Sequence, residues 1–261
     1  MGVKKRESLD ITACIVLHNE GLEELTKTIN CFLSVSLKKK LFLVDNTPDK
    51  RFEKVFNHAD IVYAGSGKNL GFGLGHNSVL KSIQGFSKFH LVLNPDVVFK
   101  SSALLNLILE LERTKDAAMI APKVSFPSGA HQFSCRRYPS ITELFARRFP
   151  FLKSLFKATI FKGIYGDKML TEPFFAEYIT GCFQLYKTED FVNLKGFDER
   201  YFLYMEDVDI CKKMDVLGKK KIYFPQEEIT HVLKRGSSKN FKLFLWHTSS
   251  AVKYFLKWGF R

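Results

Sequence analysis

The sequence has little that would build a secreted, disulfide-stapled or membrane-spanning protein. Its five cysteines are scattered over 261 residues, and no Cys-x-x-Cys pair occurs. We therefore expect free thiols in a reducing compartment, not a disulfide or zinc framework. Long hydrophobic runs are also missing, because the first one covers only 11–17 and is too short for a signal peptide or a membrane span. These absences favour a cytoplasmic protein that is soluble or peripheral on a membrane.

Acidic residues are in the minority. There are 27 Asp and Glu against 40 Lys and Arg, which gives a formal net charge of +13. Such a charge favours an acidic partner, and nucleic acid, anionic lipid and phosphorylated substrates all fit. The hydrophobic fraction of 46% predicts a real core. With no internal repeat or obvious linker, we expect one domain over residues 1–240, followed by an amphipathic helix over 241–261.

The first hundred residues alternate strand and helix patterns. Such alternation predicts an α/β fold with a mostly parallel central sheet flanked by helices. The second half is less regular, and there we expect two short helices within 141–163. The predicted strands are 11–17, 41–44, 61–64, 89–93, 118–121, 177–186 and 221–224, and the predicted helices are 20–32, 76–86, 101–114, 205–217 and 241–258.

Polar residues follow three of the predicted parallel strands. In such sheets ligands bind beyond the carboxyl ends of the strands, so these residues are candidates for a site. After the fourth strand, a carboxylate at Asp96 could bind Mg²⁺ or Mn²⁺ together with a substrate diphosphate. The alternative is an ordinary Pro-Asp turn that closes the strand. The candidates at the three ends are His18-Asn19, Asp45-Asn46 and Asn94-Pro95-Asp96.

A cluster of acids lies between Asp198 and Asp209 in an otherwise basic chain. Acids in the first turn of a helix are favoured by the helix dipole, which accounts for one or two of them. A sugar transfer needs a base that takes the proton of the acceptor hydroxyl, and a carboxylate at a helix start can do so. Glu206, Asp207 and Asp209 all lie near the start of the helix predicted over 205–217, and Glu206 and Asp209 would share a face.

Three further segments have two readings each. His231 could be a metal ligand or a structural histidine, and Lys234 with Arg235 could hold phosphate. The glycine-rich segment 68–77 matches neither a P-loop nor a dinucleotide motif, but its backbone could approach a nucleotide. The terminal helix over 241–258 is basic, aromatic and amphipathic, as is 147–162, so it could lie on an anionic membrane or pack on the core.

Taken together, these motifs resemble the family 2 glycosyltransferases of the GT-A fold, in particular the bacterial rhamnosyltransferase-like branch that acts in O-antigen, capsule and cell-wall synthesis. The motifs span residues 11 to 240 in the order of that family. They are Ile15-Val16-Leu17-His18-Asn19, Val44-Asp45-Asn46, Asn69-Leu70-Gly71-Phe72-Gly73 with Asn77, Leu93-Asn94-Pro95-Asp96-Val97, Gly181-Cys182-Phe183, Gly196-Phe197-Asp198-Glu199-Arg200-Tyr201-Phe202, Tyr204-Met205-Glu206-Asp207-Val208-Asp209 and His231.

The resemblance implies a nucleotide-binding half at about 10–100 and an acceptor-binding half at about 101–240. On this basis Asp96 and His231 would bind the metal, with Asn94 in place of the usual first acid. Asp207 would be the general base, with Glu206 as the second choice. The nucleotide sugar, dTDP-rhamnose in most of this branch, would be bound by His18, Asn19, Asp45, Asn69, Gly71, Asn77, Asn94 and Arg136.

The reaction implied is an inverting, metal-dependent sugar transfer to a lipid-linked or polysaccharide acceptor at the inner face of the membrane. Three alternatives compete with it. A sugar nucleotidyltransferase would need a glycine-rich basic loop after the first strand, where His18-Asn19-Glu20 stands instead. A nucleic-acid-binding protein would need a reading helix or stacking platform, and the acid cluster argues against one. A non-catalytic nucleotide-sugar-binding relative is made less plausible by Asp96, Asp207 and His231.

Overall fold

The structure is a computed structural model that describes residues 8–148, 152–232 and 241–260. Its strands are β1 (Leu9–Leu17), β2 (Lys39–Asp45), β3 (Ile61–Gly65), β4 (Ser87–Leu93), β5 (Val97–Val98), β6 (Ala117–Ser125), β7 (Cys135–Arg136), β8 (Phe174–Phe175), β9 (Tyr178–Ile179), β10 (Phe183–Lys187) and β11 (Lys220–His231). Its helices are α1 (Leu22–Leu33), α2 (Phe72–Asn77), α3 (Leu80–Ile83), α4 (Ser101–Arg113), α5 (Ile141–Arg148), α6 (Leu152–Leu155), α7 (Lys157–Gly163), α8 (Thr188–Asn193), α9 (Glu206–Val216) and α10 (Phe241–Trp258).

One sheet organises the molecule, in the order β3-β2-β1-β4-β10-β6-β11-β5. The first four strands of this order are parallel, whereas β10 runs antiparallel between β4 and β6. β11 is parallel to β6, and both β5 and β8 pair with it in antiparallel fashion. β7 and β9 form a separate antiparallel pair. The α/β class with a central sheet and flanking helices is confirmed, and the parallel order holds for the first half of the chain.

The sheet is buried on both faces, which the apolar sequence of its central strands explains. β1 reads LDITACIVL, and seven of its nine positions are buried. A near-continuous apolar strand is typical of a sheet covered by helices on both sides. α4 covers one side with apolar residues three and four positions apart, at Ala103, Leu104, Leu107, Ile108 and Leu111.

Several predicted elements differ in their bounds. The helix expected over 76–86 is two short helices, α2 and α3, which are separated by Ser78 and Val79, and α2 begins directly after Gly71, whose φ of 81° is left-handed. The strand expected over 177–186 is broken between β9 and β10 by residues 180–182. Where two short helices are expected within 141–163, the described residues 141–148 and 152–163 contain the helical segments α5, α6 and α7. β11 continues past Pro225 to His231 through a register shift, which carries His231 to the edge beside β5.

Candidate functional site

Asp96 and His231 meet at the carboxyl end of the sheet. His231 Nε2 lies 3.2 Å from Asp96 Oδ1 and 3.3 Å from Asn94 Nδ2. The other ring nitrogen, Nδ1, donates to Gln132 Oε1 at 2.7 Å, since that oxygen can only accept. Burial lowers the pKa of His231, but hydrogen bonds to Asp96 and Cys182 outweigh it and raise the pKa to about 10.

A buried threonine holds the turn that carries Asp96. Thr28 of α1 donates its hydroxyl hydrogen to the carbonyl of Pro95 at 2.8 Å and accepts the N–H of Val97 at 3.1 Å. The N–H of Val232 also donates to the carbonyl of Asp96 at 3.2 Å. The turn is therefore fixed from two sides, and the carboxylate of Asp96 remains turned toward His231.

This pair fits a divalent cation whose other ligands come from substrate and water. An imidazole anchored through Nδ1 presents Nε2 to a metal, and Mg²⁺ or Mn²⁺ commonly takes few protein carboxylates beside substrate phosphates. Within residues 8–148, 152–232 and 241–260, no cluster of three His, Cys, Asp or Glu side chains could hold a metal by itself. The donor set thus suits a metal that is shared with a diphosphate.

Glu206 and Asp207 open α9 after two consecutive residues, Tyr204 and Met205, with left-handed φ angles of 69° and 68°. Such angles are strained for residues other than glycine and are concentrated at functional sites. The half-buried carboxylate of Asp207 accepts the N–H groups of Gly181 at 3.2 Å and Val208 at 2.9 Å. The strained loop therefore places one carboxylate where main-chain donors hold it.

The two carboxyl groups differ in their surroundings. Burial raises the pKa of Asp207, and its hydrogen bonds to Val208 and Gly181 act against that rise. Burial and then the charge of Asp207 raise the pKa of Glu206 well above its usual range. Glu206 is 5% exposed, and its Oε2 has no partner among the described residues. Of the two, Asp207 is the carboxylate that the site keeps ionised.

Residues 181–182 connect this carboxylate to the metal pair. The N–H of Gly181 bonds to Asp207, and the carbonyl of the next residue, Cys182, accepts the N–H of Asn94 at 2.9 Å. A Cβ on Gly181 would lie 3.2 Å from the Phe72 ring, so the close packing at this point requires a small residue. The two predicted halves of the site are therefore brought together.

The acid cluster divides into two groups. Asp209, fully buried, accepts Lys257 Nζ at 2.7 Å and Trp258 Nε1 at 2.7 Å. Asp198 pairs with Arg200 at 2.6 Å and with Lys257 at 2.8 Å. Asp209 fastens α10 to α9 and Asp198 fastens it to the loop before α9, whereas Asp207 bonds to Gly181 beside the metal pair.

On the nucleotide side, Asp45 ends β2 and is fully buried. It accepts the Thr47 hydroxyl at 2.6 Å and the Tyr63 hydroxyl at 2.5 Å. The neighbouring Asn46 donates to the carbonyl of Gly71 at 2.9 Å, which joins this strand end to the glycine-rich turn. The end of β2 that carries Asp45 thus lies beside Gly71.

The other predicted nucleotide contacts are placed less uniformly. Asn69 is exposed and accepts the N–H of Gly71 at 2.9 Å. Asn77 is buried and uses both ends of its amide on the backbone of Phe197, at 2.8 and 2.9 Å. His18 and Asn19 are exposed just beyond β1. In this conformation Asn77 is a structural clamp, and the nucleotide role of all these residues stays a prediction.

The two adjacent arginines point in different directions. Arg137 pairs with Asp167 at 2.6 Å and lies over the Tyr165 ring at 4.4 Å. Arg136 is half-buried, its Nε has no partner in the described part of the chain, and its charge lowers the pKa of Asp207. Arg136 is thus close enough to act on the charge of Asp207, and its role in binding the donor stays a prediction. Lys234 and Arg235 lie outside the described residues.

The terminal helix α10 packs on the protein with one side. Lys257 turns inward to the buried Asp209, whereas Lys253 stays exposed and its Nζ donates to the carbonyl of Arg200. The opposite side of α10 exposes a narrow row of apolar residues, Phe241, Leu245, Val252 and Leu256. No helix of the described residues is long and apolar enough to cross a membrane.

Gln132 and Ser134 are polar residues next to the site that the sequence did not single out. Gln132 orients His231 across 99 residues of chain, a contact that only the fold creates. The one signal that could have found them is spacing, because Gln132, Ser134 and Arg136 alternate along a segment that ends in β7.

Sequence comparison finds rhamnosyltransferases. No family model matches the sequence. The chain is 26% identical over 248 residues to the rhamnosyltransferase WbbL of Escherichia coli K12, covering 91% of this chain and 88% of that one. It is 25% identical over 198 residues to the N-acetylglucosaminyl-diphospho-decaprenol L-rhamnosyltransferase of Mycobacterium tuberculosis. That match covers 72% of this chain and 62% of the longer relative.

Structure comparison finds glycosyltransferases of the GT-A fold. GalNAc-T7, solved with UDP, GalNAc and Mn²⁺, aligns with a TM-score of 0.65 at 15% identity over 87% of this chain and 44% of that one. The mannosyltransferase PcManGT of Pyrobaculum calidifontis, solved with GDP-Man and Mn²⁺, aligns with a TM-score of 0.60 at 13% identity over 96% of this chain and 64% of that one. At such identities the likeness shows the fold.

The fold and the relatives together define the class of protein: the chain is a glycosyltransferase with the GT-A architecture. Within that class, the resemblance to family 2 glycosyltransferases of the rhamnosyltransferase-like branch is confirmed, since the curated relatives that match most of the chain are rhamnosyltransferases.

Proposed function

We propose that the protein transfers a sugar, with inversion, from a nucleotide-diphosphate donor to a lipid-linked or polysaccharide acceptor in cell-surface glycan synthesis. The donor that we favour is dTDP-rhamnose, because the curated relatives are rhamnosyltransferases. A lipid-diphosphate sugar acceptor is favoured by the name of the mycobacterial relative. The cofactor would be Mg²⁺ or Mn²⁺, as in the two solved neighbours.

The observation that carries this proposal is the link between two clusters. Asp96 and His231 lie 3.2 Å apart at one end of the segment 181–182, and Asp207 accepts the N–H of Gly181 at the other end. A sugar transfer needs these two functions side by side: charge stabilisation at the leaving diphosphate and a base at the acceptor hydroxyl.

In the proposed reaction, each residue does a defined task. Asp96 and His231 would hold the metal, which when bound neutralises charge that develops on the departing diphosphate. Gln132 keeps His231 in the tautomer whose Nε2 faces the site. Asp207 takes the proton of the acceptor hydroxyl as that oxygen attacks the anomeric carbon. Two main-chain N–H groups aim its carboxylate.

The test is a donor screen. Purified protein is incubated with Mg²⁺ or Mn²⁺, a panel of nucleotide sugars and a synthetic lipid-diphosphate N-acetylglucosamine, and nucleoside-diphosphate release is followed. We expect one donor to turn over and the activity to disappear with EDTA and in Asp207→Asn. Binding of a donor by calorimetry without turnover would mean a wrong acceptor. No binding of any nucleotide sugar would overturn the transferase proposal.

We also propose that the protein works at the inner face of the cell membrane, on an anionic lipid surface. The support is the apolar row on α10: its four members fall within an arc of about 60° at 100° per residue, and each is at least half exposed. The five cysteines are all free, which suits a reducing compartment. In this arrangement residues 1–240 form the catalytic unit, with halves at about 10–100 and 101–240, and α10 is the membrane element.

A further inference from the structure

A row of polar side chains lies beside the site on the segment that leads into β7. The N–H of Gln132 donates to the carbonyl of Val124 at 2.8 Å, and the carbonyl of Ser134 accepts the N–H of Thr180 at 2.8 Å. Arg136 then pairs with Tyr178 in the β7–β9 ladder. The strand β7 covers Cys135–Arg136, and Gln132 and Ser134 precede Arg136 at intervals of two residues.

Each of these three residues has a buried polar atom that is not satisfied. Gln132 Nε2, Ser134 Oγ and Arg136 Nε find no hydrogen-bond partner among residues 8–148, 152–232 and 241–260. Gln132 is 9% exposed and Ser134 is 2% exposed. Buried polar groups in folded proteins are nearly always paired, and an unpaired one needs an explanation. Three on one short segment, beside a site, point to a ligand.

The residues at the two ends of this row indicate which part of the donor the row would bind. At one end, Gln132 Oε1 accepts His231 Nδ1–H at 2.7 Å, so this residue lies next to the metal pair. At the other end, the charge of Arg136 acts on Asp207. In the proposed reaction the transferred sugar lies between the metal-bound diphosphate and the base, because its anomeric carbon is the atom attacked. Ser134 lies between these two ends of the row in sequence, and its carbonyl accepts the N–H of Thr180, the residue before Gly181.

We propose that Gln132 and Ser134 bind the hydroxyl groups of the transferred sugar and so help to select it. Because Gln132 Oε1 is already used by His231, only its Nε2–H group is available, and it would donate to a sugar oxygen. The Ser134 hydroxyl can donate or accept. This inference rests on the proposed function, and it adds the residues that distinguish the sugar from the rest of the donor.

The test separates the sugar from the nucleotide. Calorimetry with Mg²⁺ measures the affinity of dTDP and of dTDP-rhamnose for the wild type and for Ser134→Ala. We expect Ser134→Ala to lower the affinity for dTDP-rhamnose by about three- to tenfold and to leave the affinity for dTDP unchanged. Its melting temperature should stay the same or rise, because an unpaired buried hydroxyl is removed. The gain due to the sugar is the ratio of the affinity for dTDP-rhamnose to the affinity for dTDP. An equal gain in the wild type and in Ser134→Ala would overturn the inference.

A matched serine controls for structural damage. Ser125 is also 2% exposed, but its hydroxyl hydrogen-bonds to Glu228. Ser125→Ala should therefore lower the melting temperature and keep the affinity gain due to the sugar. If Ser134→Ala instead melts lower and keeps that gain, its hydroxyl is structural and the inference fails.

Gln132 gives a second variant with a different signature. Gln132→Met removes both the donor to the sugar and the acceptor that orients His231. We therefore expect the affinity for dTDP-rhamnose to fall by tenfold or more, and the Mg²⁺-dependent affinity for dTDP to fall as well. Unchanged affinity for both ligands would count against the row. If the wild type binds neither dTDP nor any nucleotide sugar of the panel, the proposed function itself fails and takes this inference with it.

Discussion

Two neighbouring carboxyl groups open α9, and their surroundings assign them different tasks. Asp207 accepts two main-chain N–H groups, which favour its ionised form. Glu206 is buried with an unpartnered Oε2 in the described structure, and burial followed by the charge of Asp207 raises its pKa. One proton can thus be held on Glu206 while Asp207 stays ready to accept another.

Replacing each of these two carboxyl groups tests the assignment. We expect Asp207→Asn to lower turnover by about 10²- to 10⁴-fold, the usual value of a positioned base. Donor affinity, measured by calorimetry, should change little. Glu206→Gln should retain turnover within about tenfold, since a neutral amide resembles a protonated carboxyl. Equal losses in the two variants would show that Glu206 takes part in the chemistry.

Glu206 also makes a prediction about stability. A carboxyl whose pKa is higher in the folded than in the unfolded protein contributes stability below its unfolded pKa, and that contribution is lost as the pH rises toward the folded pKa. Relative to Glu206→Gln, the wild type should therefore lose stability from pH 5 to pH 8. Urea unfolding of both proteins at the two pH values measures this difference. A difference that stays constant would contradict the raised pKa.

Replacing Arg136 should change the pH dependence of kcat/KM. Its charge lowers the pKa of Asp207, so Arg136→Met should move the acid limb of kcat/KM to higher pH. The control is the next residue: Arg137→Met breaks the pair with Asp167 and should leave the limb where it is. Steady-state rates over a pH series decide the matter, and an equal shift in both variants would mean a general electrostatic effect.

At the scale of elements, the glycine-rich turn before α2 is held against the loop before α9. The N–H of Phe72 donates to the carbonyl of Phe202 at 3.1 Å, and Gly71 has a φ of 81°. A Cβ on Gly71 would lie 2.1 Å from that carbonyl oxygen. No residue except glycine fits, because both the backbone angle and the space exclude a side chain.

Gly71→Ala should therefore destabilise the protein by about 2–4 kcal/mol, through a left-handed alanine and a clash with main chain. It should also weaken nucleotide binding, because the turn must move. Gly85 is the matched control: its φ is 64°, but nothing lies within 4 Å of the added Cβ. Gly85→Ala should cost about 1 kcal/mol. Similar losses in urea unfolding for the two variants would show that the contact with Phe202 does not matter.

The sequence predicts elements better than it predicts which acids share a site. The strand ends near Asp45 and Asp96 can be predicted because each apolar run stops at polar residues, and the structure ends β2 and β4 at these places. The separation of Asp209 from Asp207 does not follow from sequence, because it depends on Lys257 and Trp258 from the far end of the chain. Gln132 was missed for the same reason: its partner, His231, is distant in sequence.

At the scale of the whole molecule, a buried ion network joins the last helix to the helix that carries the candidate base. Lys257 bridges Asp198 and the fully buried Asp209. Lys257→Met would leave the charge of Asp209 with hydrogen bonds from Trp258 and Tyr201 only.

Since removing one partner of a buried pair is costly, we expect Lys257→Met to lose about 2–4 kcal/mol of unfolding free energy. Lys253→Met is the control. Lys253 bonds only to a main-chain carbonyl at 2.8 Å, so its loss should cost less than about 1 kcal/mol. Both values come from urea titration. A loss in Lys257→Met no larger than in the control would mean that α10 is held by its aromatic contacts alone.

The outer side of α10 makes the last prediction. One side of the helix is packed on the protein, and the other side exposes Phe241, Leu245, Val252 and Leu256. This apolar surface is available to contact a lipid membrane. Because Lys257 is paired with the buried Asp209, attraction to lipid should come chiefly from this apolar row. Burying one leucine side chain is worth about 1.5–3 kcal/mol, which is roughly tenfold or more in affinity.

We therefore expect the protein to sediment with vesicles that contain anionic lipid, and Leu245→Glu and Leu256→Glu each to weaken binding by tenfold or more. Leu109, 49% exposed on α4, supplies the control, since Leu109→Glu adds the same charge away from the row. Equal weakening by all three variants would indicate simple charge repulsion. If the folded wild type stays in the supernatant, the row is not a membrane surface, and the lipid-linked acceptor would have to reach the site without help from α10.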